Sequence, residues 1–118
     1  MIKAPDLTRI EVIKLNAVCD GKLNLSGVNL QSIDLSGLNL AGANLEGANL
    51  SKAYLSGTNL SGANLIGANL TGANLFNAKL EGTYLMKANL NYANLTGATH
   101  TEANLEDAKL DGVTGYNP

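Results

Sequence analysis

The sequence predicts an all-β solenoid, a chain of short extended segments wound into coils, with a short α-helix at its N-terminal end. A leucine stands at every fifth position from Leu25 to Leu110, and only His100 interrupts this column. The residue two places after each of these positions is glycine in eleven of eighteen cases. Near the N-terminus, a threonine followed three residues later by a glutamate marks the start of a helix.

Composition narrows the class of protein. The chain has 118 residues, a net charge of -2, and 4% aromatic residues. This balance is neither that of a basic nucleic-acid-binding domain nor that of a highly charged disordered chain. No apolar run reaches the roughly 20 residues of a membrane span, and the single Cys19 excludes an internal disulfide. We therefore expect one soluble, cytoplasmic domain that binds neither nucleic acid nor membrane.

Residues 1–22 are predicted to form a lead and a capping helix. Thr8 is the expected N-cap residue, and Glu11 would complete the capping box by accepting from the Thr8 N–H. The helix should run from about residue 9 to residue 18 and end near Gly21. An amphipathic membrane anchor is the alternative, which the short length and mixed charge oppose. The face predicted to be buried consists of Ile10, Ile13 and Ala17, and Val12 and Leu15 would widen it.

Residues 23–112 form the repeat, whose five-residue period fits neither a regular helix nor a regular strand. Five helical steps would spread the leucines around the cylinder, and an odd period in a strand would alternate their faces. Each unit must therefore contain a short extended segment and a turn. In one central unit, Ala63 and Leu65 would point inward and Gly67 would form the turn. Outward asparagines such as Asn64 are interpreted as amide ladders between coils.

The tandem Ala-Asn-Leu-X-Gly units of residues 23–112 resemble the pentapeptide-repeat family. That resemblance implies a right-handed, four-sided (quadrilateral) parallel β-helix in which four units complete one coil. The chain would then contain about four and a half coils and extend about 22 Å at the usual β spacing. Many similar members are small, single-domain bacterial proteins, frequent in cyanobacteria, without an assigned biochemical role.

The two ends of the predicted solenoid differ. The first units carry bulky inner residues where alanine is usual, and a docked helix would need such side chains to contact. At the other end, residues 113–118 form a tail too short for a second helix. Either Val113 and Tyr116 fold over this end, or a second subunit covers it and makes a weak homodimer. The bulky inner residues are Leu23, Val28, Ile33 and Leu38.

No set of residues predicts catalysis, a cofactor or a metal site. His100 occupies a leucine position, so we expect it to pack inward rather than to act as a ligand or general base. The outward serines have no neighbouring base that would activate them. The glycines mark turns of a solenoid and lack the strand–loop–helix setting of a phosphate-binding loop. The sequence therefore predicts a protein that is not an enzyme.

Outward residues are where a binding function would lie, and two apolar groups stand out. With four units in a coil, Ile66, Tyr84 and Met86 would share one face. Tyr54 and Phe76 would lie near each other on the opposite face. These five residues are the predicted interaction patch for an unidentified protein partner. Isolated apolar residues are also normal on a surface, so the alternative is that they bind nothing.

The predicted function is that of a non-enzymatic protein–protein interaction or scaffold module. The alternative is a DNA mimic that inhibits or protects a type II topoisomerase such as DNA gyrase, as some members of the pentapeptide-repeat family do. In residues 23–112, seven acidic residues minus four lysines give a net charge of -3. Duplex DNA of about 22 Å carries about thirteen negative charges, so the charge opposes this alternative.

Overall fold

The N-terminal helix, α1, comprises Arg9–Cys19 in a computed structural model that describes residues 4–118. Residues 1–3 of the predicted lead lie outside the described residues. The predicted capping box is confirmed, because Thr8 Oγ1 accepts from the Glu11 N–H at 3.2 Å and the Glu11 carboxylate accepts from the Thr8 N–H at 2.9 Å. The helix ends at Asp20, whose backbone is left-handed.

After α1 the chain winds into a parallel β-solenoid. The extended segments are single bridging residues, found at every fifth position from residue 24 to residue 114. Fifteen parallel bridges join them, and each bridge links two residues that are twenty apart, from Asn24–Asn44 to Asn94–Thr114. Twenty residues are four units, so four units complete one coil and the coil has four sides.

Each side of the coil is defined here by the inward residues that stack upon one another. Face 1 is built on Leu25, Leu45, Leu65, Leu85 and Leu105. Face 2 is built on Leu30, Leu50, Leu70, Leu90 and Leu110. Face 3 is built on Leu35, Leu55, Leu75 and Leu95. Face 4 is built on Leu40, Leu60, Leu80 and His100.

Backbone hydrogen bonds tie each unit to the coils before and after it. The N–H of Leu65 donates to the carbonyl of Tyr84 in the next coil at 2.8 Å, and the N–H of Asn64 donates to the carbonyl of Ala43 in the previous coil at 2.9 Å. A third bond closes the turn, from the N–H of Ala68 to the carbonyl of Leu65 at 3.0 Å. Each unit therefore consists of one residue that pairs in a parallel sheet, followed by a β-turn.

All eighteen turns adopt a left-handed backbone, with φ between 57° and 74° at the position where glycine is commonest. Seven of the turns carry a residue with a side chain at this position, for which the conformation is strained. Three of these side chains lie against a glycine in the next coil, and Lys52 leaves room for a Cβ atom at Gly72, at 3.6 Å from its Cγ. Asn77 lies against Gly97 and Tyr92 against Gly112, and a Cβ atom at either glycine would collide with them.

The core is the column of leucines and alanines that the sequence predicted. Leu65 and Ala63 are fully buried, as are their counterparts through the middle coils. Two buried threonines replace alanine in this column. Thr58 Oγ1 donates to the carbonyl of Leu35 at 2.7 Å. Thr83 makes the equivalent bond on another face, so each buried hydroxyl is satisfied and the polar group is tolerated.

The asparagine column does not form continuous amide ladders, so that interpretation is wrong for the column as a whole. Among the described residues one such rung is present, in which the Asn49 amide donates to Asn29 Oδ1 at 3.2 Å. In the thirteen units that have Asn or Asp before the leucine, the side-chain oxygen accepts from the N–H two residues later. Asn64 Oδ1, for example, accepts from the Ile66 N–H at 3.0 Å. This is an Asx turn, a local bond that competes with pairing to the next coil. The thirteen bonds are individually short and regular.

The buried face of α1 agrees with the prediction only at Val12. Val12 is fully buried against the first coil and Cys19 is half-buried, whereas Ile10 is 63% exposed. Ile13, Leu15 and Ala17 are exposed as well, so the centre of the predicted face points away from the solenoid and only its edge at Val12 is docked. The docked face instead includes polar groups, because Asn16 donates its amide to the carbonyl of Asn39 in the first coil at 2.8 Å.

The lead and α1 occupy the edge of the first coil. The N–H of Asp6 donates to the carbonyl of Asn29 at 2.7 Å, and its carboxylate accepts from the N–H of the same asparagine at 2.9 Å. The Arg9 guanidinium donates to the carbonyl of Asp34 at 3.1 Å. Together with Asn16, these groups satisfy first-coil carbonyls on faces 2, 3 and 4, where a preceding coil would otherwise bind.

The C-terminal end is covered only in part. Leu105 and Leu110 of the last coil are half-buried, and their N–H groups have no acceptor among the described residues. Val113 and Tyr116 pack against the core, and the ring of Tyr116 lies 5.2 Å from that of His100, centroid to centroid. His100 is half-buried, as expected for a packed residue. The tail thus folds over face 4 and leaves face 1 and face 2 of the last coil accessible.

Candidate interaction surface

Face 1 carries the first of the two predicted apolar groups, Ile66, Tyr84 and Met86, called here the face-1 patch. The N–H of Gly67 donates to the carbonyl of Met86 at 3.0 Å, which places Met86 directly beside Ile66 in the next coil. Tyr84 bridges to Asn64 and is 49% exposed. Ile66 and Met86 are half-buried. The structure therefore brings these three residues together.

Acidic side chains flank the face-1 patch along the solenoid axis. Glu46 stands one coil before Ile66, and Glu106 stands one coil after Met86, in the same column of positions. Both carboxylates are exposed. The Glu46 carboxylate accepts from the Asn64 amide at 3.2 Å, so it leans toward the patch. The surface is apolar at its centre and negatively charged at both ends.

The second predicted group, Tyr54 and Phe76, lies on face 3. Tyr54 bridges to Asn74, and the carbonyl of Phe76 accepts from the N–H of Gly57 at 2.8 Å. Tyr54 and Phe76 therefore belong to successive coils but stand at different positions of the unit. Both side chains are exposed. Face 3 is opposite face 1, so one compact partner surface cannot contact both groups.

Face 4 carries a polar cluster centred on Glu81. The Thr99 hydroxyl donates to this carboxylate at 2.5 Å and the Ser61 hydroxyl donates at 3.2 Å. The Thr99 bond, ahead of the Ser61 bond and the nearby charge of Lys79, lowers the pKa of Glu81 below its ordinary value. Its carboxylate is thus ionised and already hydrogen-bonded, which makes it a poor general acid or base at neutral pH.

No other arrangement of described residues resembles a catalytic centre. Within residues 4–118, no three His, Cys, Asp or Glu side chains group as metal ligands. The same residues enclose no pocket. No helix among them is long and apolar enough to cross a membrane.

Sequence reasoning missed one feature of the face-1 patch. Five units lack Asn or Asp before the central residue, and in these units no side chain closes the Asx turn. Tyr84 is in one of them, so the N–H of Met86 has no acceptor among the residues described. The sequence shows that these five units lack Asn or Asp. The meaning of that difference became clear only from the structure, in which the asparagines close Asx turns. The five residues that replace Asn or Asp are Tyr54, Lys79, Tyr84, Thr99 and Lys109.

Comparison with known proteins gives one consistent result. The sequence model described as pentapeptide repeats matches residues 24–62, 53–91 and 88–114. Comparison with curated proteins found no match. Solved structures of pentapeptide-repeat proteins, which are right-handed quadrilateral β-helices, are similar to this chain.

Three of these structures are informative. The chain is 31% identical to alr5209 from Nostoc PCC 7120, with a TM-score of 0.82, over 91% of this chain and 94% of that one. It is 38% identical to HetL from Nostoc sp. strain PCC 7120, a protein involved in heterocyst differentiation regulation, with a TM-score of 0.72 over 76% of this chain. It spans only 44% of the length of HetL. A protein of the Arabidopsis thaliana thylakoid lumen is 31% identical over 82% of this chain, with a TM-score of 0.55.

Proposed function

The chain belongs to the pentapeptide-repeat family, and from that premise we propose that it is a non-enzymatic interaction module that binds a partner protein through face 1. The observation that carries the proposal is the face-1 patch, in which Ile66, Tyr84 and Met86 lie together between two acidic residues. An apolar surface rimmed by charge is typical of a protein-binding site. The coil is taken to be right-handed, as in its solved relatives.

The similarity to HetL supports a regulatory setting for such a module. HetL is involved in heterocyst differentiation regulation, and this chain is 38% identical to it over 76% of its own length. We propose that such a solenoid regulates by occupying a surface of another protein, since its described residues offer four flat faces and enclose no pocket. We place the module in the cytoplasm.

The alternative of DNA mimicry stays a prediction. The repeat has a net charge of -3, from seven acidic residues and four lysines. Duplex DNA of the same length carries about thirteen negative charges, so the charge of the repeat is too low to imitate it closely. A supercoiling assay with DNA gyrase tests the alternative directly. Inhibition or protection of gyrase at micromolar concentrations of this protein would favour it over the interaction module.

Affinity capture from the native cell tests the interaction module. Met86→Glu places a charge in the face-1 patch without touching the core, so it should release any partner that binds there. Phe76→Glu on face 3 is the matched control and should retain the partner. Circular dichroism spectra of both variants should match that of the parent, because both side chains point outward. Equal capture by the parent and by Met86→Glu would contradict binding through face 1.

A further inference from the structure

We propose that face 1 recognises an extended, basic segment of its partner, in which two basic side chains four residues apart flank one apolar side chain. This inference rests on the proposed function, because it names the partner chemistry for the same surface. It follows from the spacing of the acidic and apolar residues along face 1.

The residues that follow the leucines of face 1 form a straight column. Backbone hydrogen bonds of 2.9–3.0 Å join Gly47 to the carbonyl of Ile66, Gly67 to that of Met86, and Lys87 to that of Glu106. Successive members are therefore one coil apart, or about 4.8 Å. The two acidic members are separated by three coil spacings, or about 14 Å. The column consists of Glu46, Ile66, Met86 and Glu106.

An extended peptide matches this spacing. A strand rises about 3.3 Å per residue and alternates its side chains, so residues i, i+2 and i+4 share one side and span about 13 Å. Basic residues at i and i+4 would reach Glu46 and Glu106, while an apolar residue at i+2 would lie over Ile66 and Met86. A helix covers the same distance in about nine residues, which brings the second basic residue to the opposite side.

Charge and hydrogen bonding favour the same ligand. The five units of face 1, from residues 23–27 to 103–107, carry Glu46, Glu106 and Asp107 against Lys87, and three minus one leaves a net charge of -2 around the patch. The Asn64 amide holds the Glu46 carboxylate toward the patch at 3.2 Å, which reduces the entropy lost on binding.

Two further groups near the patch suit an extended peptide that carries arginine. The N–H of Met86 has no acceptor among the described residues, so it can donate to a peptide carbonyl. The exposed ring of Tyr84 offers a face to a guanidinium group. An arginine-containing peptide is therefore a better probe than a lysine-containing one.

The test is fluorescence anisotropy with a labelled peptide of sequence GRSLSRG and the full 118-residue chain. We expect saturable binding that weakens as salt is raised, because exposed ion pairs are screened. Binding should weaken markedly for GSRLRSG, which keeps the composition but brings the arginines two residues apart. It should be lost for GESLSEG. Equal affinity for GRSLSRG and GSRLRSG would overturn the spacing argument, and absence of saturable binding would overturn the proposal.

Charge-matched variants assign the site. The double variant Glu46→Gln with Glu106→Gln should bind GRSLSRG about fivefold more weakly or worse, as expected for two partly exposed ion pairs. The variant Glu81→Gln with Asp111→Asn changes the net charge equally but lies on faces 4 and 2, so it should bind like the parent. Equal weakening by both pairs would show that binding follows net charge alone and would overturn the assignment to face 1.

This experiment separates the inference from the proposed function. If Met86→Glu releases a native partner but GRSLSRG does not bind, the interaction module stands and the basic extended ligand is wrong. If GRSLSRG binds at face 1 but Met86→Glu retains every native partner, the surface recognises the peptide chemistry and the proposed function through that face is wrong.

Discussion

At the N-terminal end of the solenoid, Asp6, Arg9 and Asn16 donate to carbonyls of the first coil, whereas at the C-terminal end the N–H groups of Leu105 and Leu110 have no acceptor among the residues described. The same five-residue unit builds both ends. Leu25 in the first coil is buried, yet Leu105 on the same face is half-buried. Burial in this fold therefore depends on what stacks next to a unit and not on the unit itself.

The difference shows that a cap has an apolar task, to bury the inner residues of the end coil, and a polar task, to hydrogen-bond its backbone groups. The apolar task is met by few contacts, chiefly Val12 over the inner residues of the first coil. The polar task is met by groups that a search for apolar periodicity ignores, namely a lead carboxylate, a guanidinium and a side-chain amide. A solenoid edge has unpaired backbone groups on every face, so polar matching matters as much as apolar cover.

The largest expected contrast is between leucines of the first and last coils. Leu30→Ala should lower the free energy of unfolding by about 2–5 kcal/mol, because Leu30 is fully buried beneath the cap. Leu105→Ala should cost only about 1–2 kcal/mol, since its side chain is half-buried. Urea unfolding followed by circular dichroism measures both. Equal losses would mean that the last coil is packed as fully as the first.

A second contrast lies within α1. Val12→Ala should cost about 2 kcal/mol, from two buried carbon atoms and the cavity that they leave. Val18→Ala should change stability by less than about 0.5 kcal/mol, because Val18 is 80% exposed. The two variants make the same chemical change in one helix and are compared by thermal unfolding. A larger loss for Val18→Ala than for Val12→Ala would contradict the docking of α1 through Val12.

The polar cap is tested by removing a single donor. Asn16→Ala should cost about 0.5–1.5 kcal/mol and speed hydrogen exchange in the first coil, because the carbonyl of Asn39 loses its donor. Lys14→Ala is the control, as this exposed side chain on the same helix contacts no edge carbonyl in the described structure. Unchanged exchange in Asn16→Ala would show that water satisfies the edge equally well.

The smallest effect concerns pH at the N-terminal end. The Thr8 N–H lowers the pKa of Glu11, and the Ser36 N–H, ahead of Arg9, lowers that of Asp34. Groups with a lowered pKa in the folded state stabilise it above their ordinary pKa values, near 4, and lose that contribution as pH falls through the lowered values. We expect helical circular dichroism to fall below about pH 4. Glu11→Gln should reduce this dependence, and an unchanged profile would contradict the assignment.

Sequence reasoning predicted the solenoid from its strict period and the capping box from a local motif. The four-unit coil was implied by the resemblance to the pentapeptide-repeat family, because a five-residue period does not set the number of units in a coil. It predicted the docked face of α1 only at its edge, Val12. Ile10, Ile13 and Ala17 form the more apolar stripe, but the first coil presents carbonyls that only polar side chains can satisfy, so tertiary contacts override the pattern. The face-1 patch was predicted from the positions of its residues in the four-unit coil. The N–H of Met86, which has no acceptor among the described residues, was recognised only from the side-chain hydrogen bonds of the other units.

The uniform left-handed turn determines which face each outward residue occupies when units are inserted into the chain. Because every unit turns the chain by one side, inserting a single unit of five residues would rotate all later outward side chains by a quarter of the cross-section. Residues that share face 1 would then be divided between two faces, although the leucine column would still point inward. Inserting four units would add one coil and keep the faces aligned. Lengths that differ by whole coils therefore preserve a binding surface, while other lengths redistribute it without disturbing the core.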